Sequence, residues 1–269
     1  MLFARFLIAP IVALATATTA GASSSEPFVT DGATLRLVTS GLADEAGHLR
    51  GALEIRLDPG WKTYWVEPGA SGVPPQVDVS SSINVSAATL HFPAPEWHMD
   101  DYGSWAGYGA SIVLPITFTI DEPERFSVVE ADLFLGICET ICIPVQARLA
   151  VEPGSAPEDA ADAAFVDAAF AALPGEADAT FGVSEATLSG DILLVDATIP
   201  KVETGKTALF LAPERGYVFG VPKAIGTDLE GATFEVPVLF RPAGNASDVA
   251  VSYTLTAGGA SVAGTFTLP

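Results

Sequence analysis

Cys138 and Cys142 are the only thiols of a 269-residue chain, and they stand three residues apart in Gly136-Ile137-Cys138-Glu139-Thr140-Ile141-Cys142-Ile143-Pro144. The flanking segments read as strands. Val128 to Leu135 is an apolar-rich run, and Ile143 to Val151 is another, with Gln146 and Arg148 alternating outward. The pattern predicts a β-hairpin connected by Glu139-Thr140-Ile141, with one cysteine on each arm. Cysteines flanking such a loop face each other at roughly 4.5–5.5 Å between Cα atoms, within reach of a disulfide.

A disulfide there is a weak staple. The chain-entropy account gives about 2 kcal/mol for a loop of about five residues, against about 4.7 kcal/mol for one of about a hundred. A chain of this length also buries an adequate core without covalent help. Redox chemistry is the sharper reading and a local structural bridge the plainer one. Two thiolates with no His or further Cys nearby fall short of the four ligands that zinc takes, so neither a metal nor any other cofactor is expected. Thiol–disulfide exchange needs a thiolate, activated by a nearby cation or a helix N-terminus. The nearest charge in sequence is the Glu139 carboxylate, and the first basic residue after the pair is Arg148. The expectation is either a reduced pair that reacts sluggishly until a partner docks or a Glu139 that points to solvent and matters little.

The compartment follows from the amino terminus. Arg5 opens a short basic region, Phe6 to Ala17 is apolar, and Ala20-Gly21-Ala22 offers a small-residue cleavage site, so residues 1–22 read as a signal peptide. Nothing later approaches the roughly eighteen apolar residues of a membrane span, so the expected product is exported, soluble and periplasmic. With 12 Lys+Arg against 33 Asp+Glu, the chain is too acidic for a nucleic-acid partner. An apolar content of 49% marks it as globular rather than disordered.

The elements that must position the pair are short strands. Ala33 to Thr39, Leu49 to Leu57, Gln76 to Val79, Ser111 to Ile120 and Ser127 to Leu135 alternate between turns at Asp58-Pro59-Gly60, Glu67-Pro68-Gly69 and Asp121-Glu122-Pro123. A helix is expected from Pro157 to Leu173, capped by Ser155 with Glu158 and apolar along Phe165, Ala169 and Leu173. Strands resume at Phe181 to Leu188, Ile192 to Ile199, Thr207 to Leu211, Thr233 to Phe240, Val249 to Leu255 and Val262 to Leu268, with a turn at Gly190-Asp191. The predicted class is all-β, two immunoglobulin-like β-sandwiches joined by one helix. The expected division is 26–153 for the cysteine-bearing sandwich, 154–175 for the helical connector and 176–269 for the second sandwich.

Gly60-Trp61-Lys62-Thr63-Tyr64-Trp65, Gly69-Ala70-Ser71-Gly72-Val73-Pro74-Pro75, Phe92-Pro93-Ala94-Pro95-Glu96, Val113-Leu114-Pro115 and the cysteine segment occur in a familiar order. Together they resemble the N-terminal periplasmic domain of the DsbD family of thiol:disulfide interchange proteins, above all its ScsB-like branch. The likeness runs from Leu35 to Val151 and more loosely through Phe210 to Pro222. The resemblance implies an immunoglobulin-like domain that relays reducing equivalents between a membrane reductase and periplasmic thioredoxin-fold oxidoreductases. In this chain the reductase would be a separate DsbD-like membrane protein. The resemblance also implies that Cys142 attacks and Cys138 resolves. It further implies that a cap loop shields the pair, which in Trp97-His98-Met99-Asp100-Asp101-Tyr102-Gly103 points to Asp100, Asp101 and above all Tyr102. The cysteine spacer is shorter here than in the best-known members.

Other features carry less. Trp61, Tyr64, Trp65 and Glu139 are candidates for the rim of the site, though aromatic residues at a turn-to-strand junction are commonly core. His98 and Met99 are of types that ligate copper, but a single adjacent pair is a thin basis. No nucleophile-elbow signal for Ser/His/Asp catalysis is present. The competing class is a non-enzymatic β-sandwich interaction or chaperone-like module whose disulfide is structural.

Overall fold

The computed structural model describes residues 23–69, 72–100, 103–200, 207–227, 231–242 and 249–268. Residues 1–22, expected from the sequence to be a signal peptide, lie outside them. The first sandwich holds eleven strands: β1 (Phe28–Thr30), β2 (Ala33–Thr39), β3 (His48–Leu57), β4 (Thr63–Tyr64), β5 (Gln76–Asp78), β6 (Val85–Leu90), β7 (Glu96–Asp100), β8 (Gly103–Tyr108), β9 (Ile112–Ile120), β10 (Val129–Cys138) and β11 (Cys142–Val151). One layer is the five-stranded sheet β1-β2-β3-β9-β6, and the facing layer is β11-β10-β5. Alternation places Leu35, Leu37, Leu53, Ile55, Leu114, Ile116 and Phe118 of the first layer against Ala131, Leu133, Leu135, Val145 and Leu149 of the second.

The third sheet, β4-β8-β7, is the part that matters for the cysteines. It is tied to the end of β10 by a backbone bridge. The Lys62 N–H donates to the Cys138 carbonyl at 2.8 Å, and the Cys138 N–H returns a bond to the Lys62 carbonyl at 3.0 Å. This small sheet therefore lies over the tip of the β10–β11 hairpin.

One α-helix, α1 (Ala160–Ala171), follows the first sandwich. Ser155, which the sequence suggested as the cap of this helix, is not the residue that caps it. Pro153–Ser155 is a separate single turn, and Asp159 caps instead, accepting from the N–H groups of Ala161 and Asp162 at 2.9 and 3.0 Å. A short acidic side chain satisfies the orphan N–H groups directly, so the helix begins where that acceptor stands. The buried stripe is also shifted from the expected one. Val166 and Ala169 seat against Val38 and Ala52 on the outer face of the five-stranded sheet, and Leu173 falls beyond the helix end. Arg50 pins the contact, its guanidinium 4.2 Å from the centre of the Phe170 ring and 2.7 Å from the Asp167 carboxylate.

Beyond α1 the strands form a second immunoglobulin-like sandwich. One sheet joins Gly175–Glu176, Ala260–Thr267, Ala250–Ala257 and Ala208–Pro213, and the other joins Gly182–Ser189, Ile192–Thr198 and Gly231–Phe240 with two short edge pieces. Leu193, Val195, Phe234, Val236, Val251 and Leu255 fill the space between. Gly190-Asp191 makes its turn as expected, because Gly190 takes a positive φ of 60°. Among the described residues no helix is long and apolar enough to cross a membrane.

Candidate redox site

Cys138 and Cys142 are register partners at the end of the β10–β11 hairpin and form a disulfide, with Cα atoms 4.1 Å apart. That is closer than the 4.5–5.5 Å generic for facing strands, because Glu139, Thr140 and Ile141 turn the chain at once. The two sulfurs are not equivalent. Cys138 keeps 1% of its surface, whereas Cys142 is exposed.

The cover over Cys138 is Tyr64. Its ring is 2% exposed, and its hydroxyl lies 3.1 Å from the Cys138 sulfur and 3.3 Å from that of Cys142. Gly136 makes this approach possible. A Cβ at that position would stand 2.9 Å from Cβ of Val73 and 3.0 Å from Cδ2 of the Tyr64 ring, so only glycine admits the ring across β10. Thr63 fixes the strand from its other side, donating its hydroxyl to the Gly136 carbonyl at 3.0 Å. Burial first, and the Asp100 carboxylate second, push the Tyr64 pKa above its usual value. The hydroxyl therefore keeps its proton and remains a donor.

Behind Tyr64 stands Trp105 of β8, packed edge-on at 5.7 Å between ring centres. Trp105 organises the rest. Its Nε1–H donates to the Asp100 carboxylate at 2.9 Å, the Lys62 ammonium lies over its ring at 4.6 Å, and the His98 ring stacks on it at 4.0 Å. Lys62 also pairs with Asp100. These residues enclose a cleft of about 420 Å³ lined by Lys62, Tyr64, Asp100 and Trp105 on one side and by the hairpin residues 138–142 on the other. Ile141, 70% exposed, marks its outer lip.

Lys62 corrects the electrostatic expectation drawn from sequence. No cation is near in sequence, yet one lines the cleft, delivered by another strand. Arg148, the nearest basic residue along the chain, is instead engaged by Asp132 at 2.7 and 2.8 Å on the flank of the hairpin.

Of the four rim candidates, Tyr64 and Glu139 line the cleft and two do not. Trp61 lies over Gly32, whose positive φ of 78° brings the backbone under the indole. Trp65 is 4% exposed and part of the core, edge-on to Phe210. Lys62 and Trp105 were missed. The two-residue period of a strand was the available signal: in Trp61-Lys62-Thr63-Tyr64-Trp65 it sends Lys62 and Tyr64 to one face and the two tryptophans to the other.

Asp100 stands at the cleft. Asp101 and Tyr102, the rest of the expected cap, lie outside the described residues. The surrounding segment is more regular than its turn-rich composition suggested, because β7 and β8 pair from Glu96↔Gly107 to Asp100↔Gly103. The same strand geometry removes the copper reading. His98 faces Trp105, whereas its neighbour Met99 is 83% exposed on the opposite face, so the two side chains diverge from any common ion.

No curated protein matches the chain. The crystal structure of the N-terminal periplasmic domain of ScsB from Proteus mirabilis matches over 92% of this chain and 99% of that one, at 23% identity and a TM-score of 0.73. It shares the fold across both sandwiches. A marsupial T cell receptor aligns at 8% identity and a TM-score of 0.22, too weak a likeness to bear on the fold. Residues 38–152 match the family described as thiol:disulfide interchange protein DsbD, N-terminal, and the matched segment contains β3 to β11, the small covering sheet and both cysteines. The first sandwich is thus similar to the N-terminal domain of the DsbD thiol:disulfide interchange proteins, and the two-sandwich fold to that of ScsB.

Proposed function

We propose that this is a periplasmic relay protein whose Cys138–Cys142 pair passes two electrons at a time between a membrane reductase and thioredoxin-fold oxidoreductases. The observation that carries the reading is the asymmetry of the two sulfurs beneath one hydroxyl: Cys142 open to the cleft, Cys138 buried, and Tyr64 in reach of both. A structural bridge needs no such asymmetry. An exchange reaction does, because one sulfur must meet the partner while the other waits.

In the reducing direction the Cys142 thiolate attacks one sulfur of the partner's disulfide. That bond breaks, its electron pair leaves on the partner's second sulfur, and a mixed disulfide forms through Cys142. The Cys138 thiolate then attacks the Cys142 sulfur, the mixed disulfide breaks, and the Cys138–Cys142 bond closes as the partner departs with two thiols. Two electrons and two protons pass in all. The Tyr64 O–H is placed to donate to whichever sulfur carries negative charge, and Lys62 contributes positive charge to the same cleft. The exposed Ile141 and Met99 supply apolar contact for a docking partner at its edges.

The division into a cysteine-bearing unit at 26–153, a connector at 154–175 and a second sandwich at 176–269 belongs to the same proposal, supported by two main cores that share the strand Ala208–Pro213. So does the shielding role of Tyr102, for which Tyr102→Ala should speed alkylation of the reduced protein.

The test is the reduction potential of the pair together with trapping by single variants. A potential above about −300 mV, with Cys138→Ser accumulating a mixed disulfide and Cys142→Ser forming none, is expected. A value far below that would make the bond structural and the protein a non-enzymatic module. The opposite trapping pattern would reverse the two roles.

A further inference from the structure

Phe210 belongs to the second sandwich by sequence and to the first by packing. It sits on the strand Ala208–Pro213, paired through Thr254 into the second sandwich's sheet, yet it is 1% exposed within the hydrophobic cluster of the first. Its ring lies face to face with Trp97 at 5.3 Å and 11° between planes, and meets Trp65 edge-on at 5.8 Å. The residue before it completes the contact, since the Trp97 Nε1–H donates to the Leu209 carbonyl at 3.0 Å.

The two tryptophans are not arbitrary positions. Trp65 directly follows Tyr64, whose hydroxyl reaches both sulfurs, and its own N–H continues the pairing with β8 by donating to Ala106 at 3.1 Å. Trp97 lies on β7 immediately before His98 and three residues before Asp100. Neighbouring residues on a strand face opposite ways, so Trp97 points away from the face that His98 and Asp100 present to Trp105. Two of the strands that wall the redox cleft, β4 and β7, are therefore held from behind by the same phenylalanine ring.

We infer that Phe210 is a positioning residue of the redox site: the second sandwich fixes β4 and β7 from behind, and through them the Tyr64 hydroxyl, the Trp105 ring and the Asp100 carboxylate over the cysteine pair. The inference rests on the relay reading above and gives the cysteine-free sandwich a part in it. Removing the brace lets the two strands shift, and the Tyr64 donor no longer favours charge on sulfur. The reduced form then loses stabilisation relative to the disulfide.

The experiment uses the full chain with Phe210→Ala, Trp97→Phe and, as a control in the second core far from the contact, Val236→Ala. Each is equilibrated with reduced and oxidised glutathione, and alkylation of Cys142 in the reduced protein is followed against pH. Phe210→Ala should move the glutathione equilibrium about threefold to thirtyfold toward the disulfide and shift the alkylation profile to higher pH. Trp97→Phe, which keeps an aromatic ring but deletes the N–H donor, should move both in the same direction by less. Val236→Ala should move neither. If the Phe210→Ala protein does not fold, Trp97→Phe decides. Native equilibrium and profile in the folded variants overturn the inference, and so does an equal shift in Val236→Ala, which would make the effect general destabilisation. A native pair that never exchanges with glutathione defeats the relay reading instead, which keeps the two failures apart.

Discussion

The cysteine hairpin of the first sandwich and the hairpins of the second differ in what lies over them. In the second sandwich a Cβ added at Gly190 or Gly259, in the turns Gly190-Asp191 and Gly258-Gly259, would meet no atom within 4 Å, and the Gly190-Asp191 turn is touched from its edge by the Arg241 guanidinium, 2.7 Å from the Gly190 carbonyl. Those glycines serve the backbone alone, at φ of 60° and 88°. At Gly136, two residues before Cys138, the same added atom would strike Val73 and the Tyr64 ring. An immunoglobulin-like sandwich thus provides hairpin ends as part of its architecture, and a disulfide placed on a bare one would be open to any thiol. Here the extra sheet β4-β8-β7 converts one end into a half-covered site, burying one sulfur and leaving the other accessible.

The largest break in that comparison is Tyr64→Ala. It empties a fully buried ring position against Trp105, Val73 and Cys138, and should cost about 3–5 kcal/mol of stability. It should also make Cys138 of the reduced protein as open to alkylation as Cys142. Tyr64→Phe separates the two effects, since it keeps the ring and removes only the donor. Its stability, followed by denaturant unfolding, should change by about 1 kcal/mol, while the pH profile of alkylation moves upward. Should Tyr64→Phe alkylate as the native protein does, the hydroxyl is a bystander and only the ring's cover matters.

Next in size is a matched pair of methyl groups. Gly136→Ala drives a methyl into Tyr64 and Val73, costs about 1–3 kcal/mol by overpacking, and should disturb the redox equilibrium because the ring that moves carries the donor. Gly259→Ala meets no neighbour and suffers only its left-handed backbone, about 1–2 kcal/mol, with the redox equilibrium untouched. Equal redox effects from the two substitutions would mean that cover over the hairpin is not what distinguishes the sandwiches.

The sequence showed the sandwiches far better than the cover. Long alternating runs such as Leu49–Leu57, Ser111–Ile120 and the two arms of the cysteine hairpin were legible because a two-residue period over eight or more residues has one structural meaning. β4, β7 and β8 were not. The two residues of β4 are too few to show a period, and β7, Glu-Trp-His-Met-Asp, alternates over only five residues, with its polar face turned to Trp105 and Trp97 of its apolar face turned to the second sandwich. Lys62 was hidden for a related reason: its role depends on a backbone bridge to Cys138, a contact across 76 positions that no local pattern encodes. The role of Phe210 was likewise hidden, since a phenylalanine in a strand of one core reads the same whichever core receives it.

The smallest expected effect is one of pH, and it separates the sandwiches by composition. The three histidines and all four tryptophans fall within residues 48–105, so the second sandwich has neither. Burial holds His91 and His98 below the ordinary value of 6.5, with Glu96 only partly opposing it at His98. As pH falls through 6.5 the unfolded chain takes up protons that the folded imidazoles refuse, so their contribution to stability, complete above 6.5, declines until the folded groups also titrate. Glu67 works the other way. Burial raises its carboxyl, so the folded state binds that proton first and gains stability as pH falls through the raised value. Asp44 and Asp132 in the first sandwich and Asp178 in the second are all held below 3.8 by hydrogen bonds, and their losses come at lower pH on both sides. Between pH 7 and the carboxylate range, therefore, the first sandwich should lose stability while the second holds. Tryptophan fluorescence reports the first, and hydrogen exchange of Leu193–Val195 and Val251–Leu255 reports the second. A fluorescence transition that does not move between pH 7 and pH 5.5, or an equal loss of protection in the second core, would show that the buried imidazoles do not set this difference.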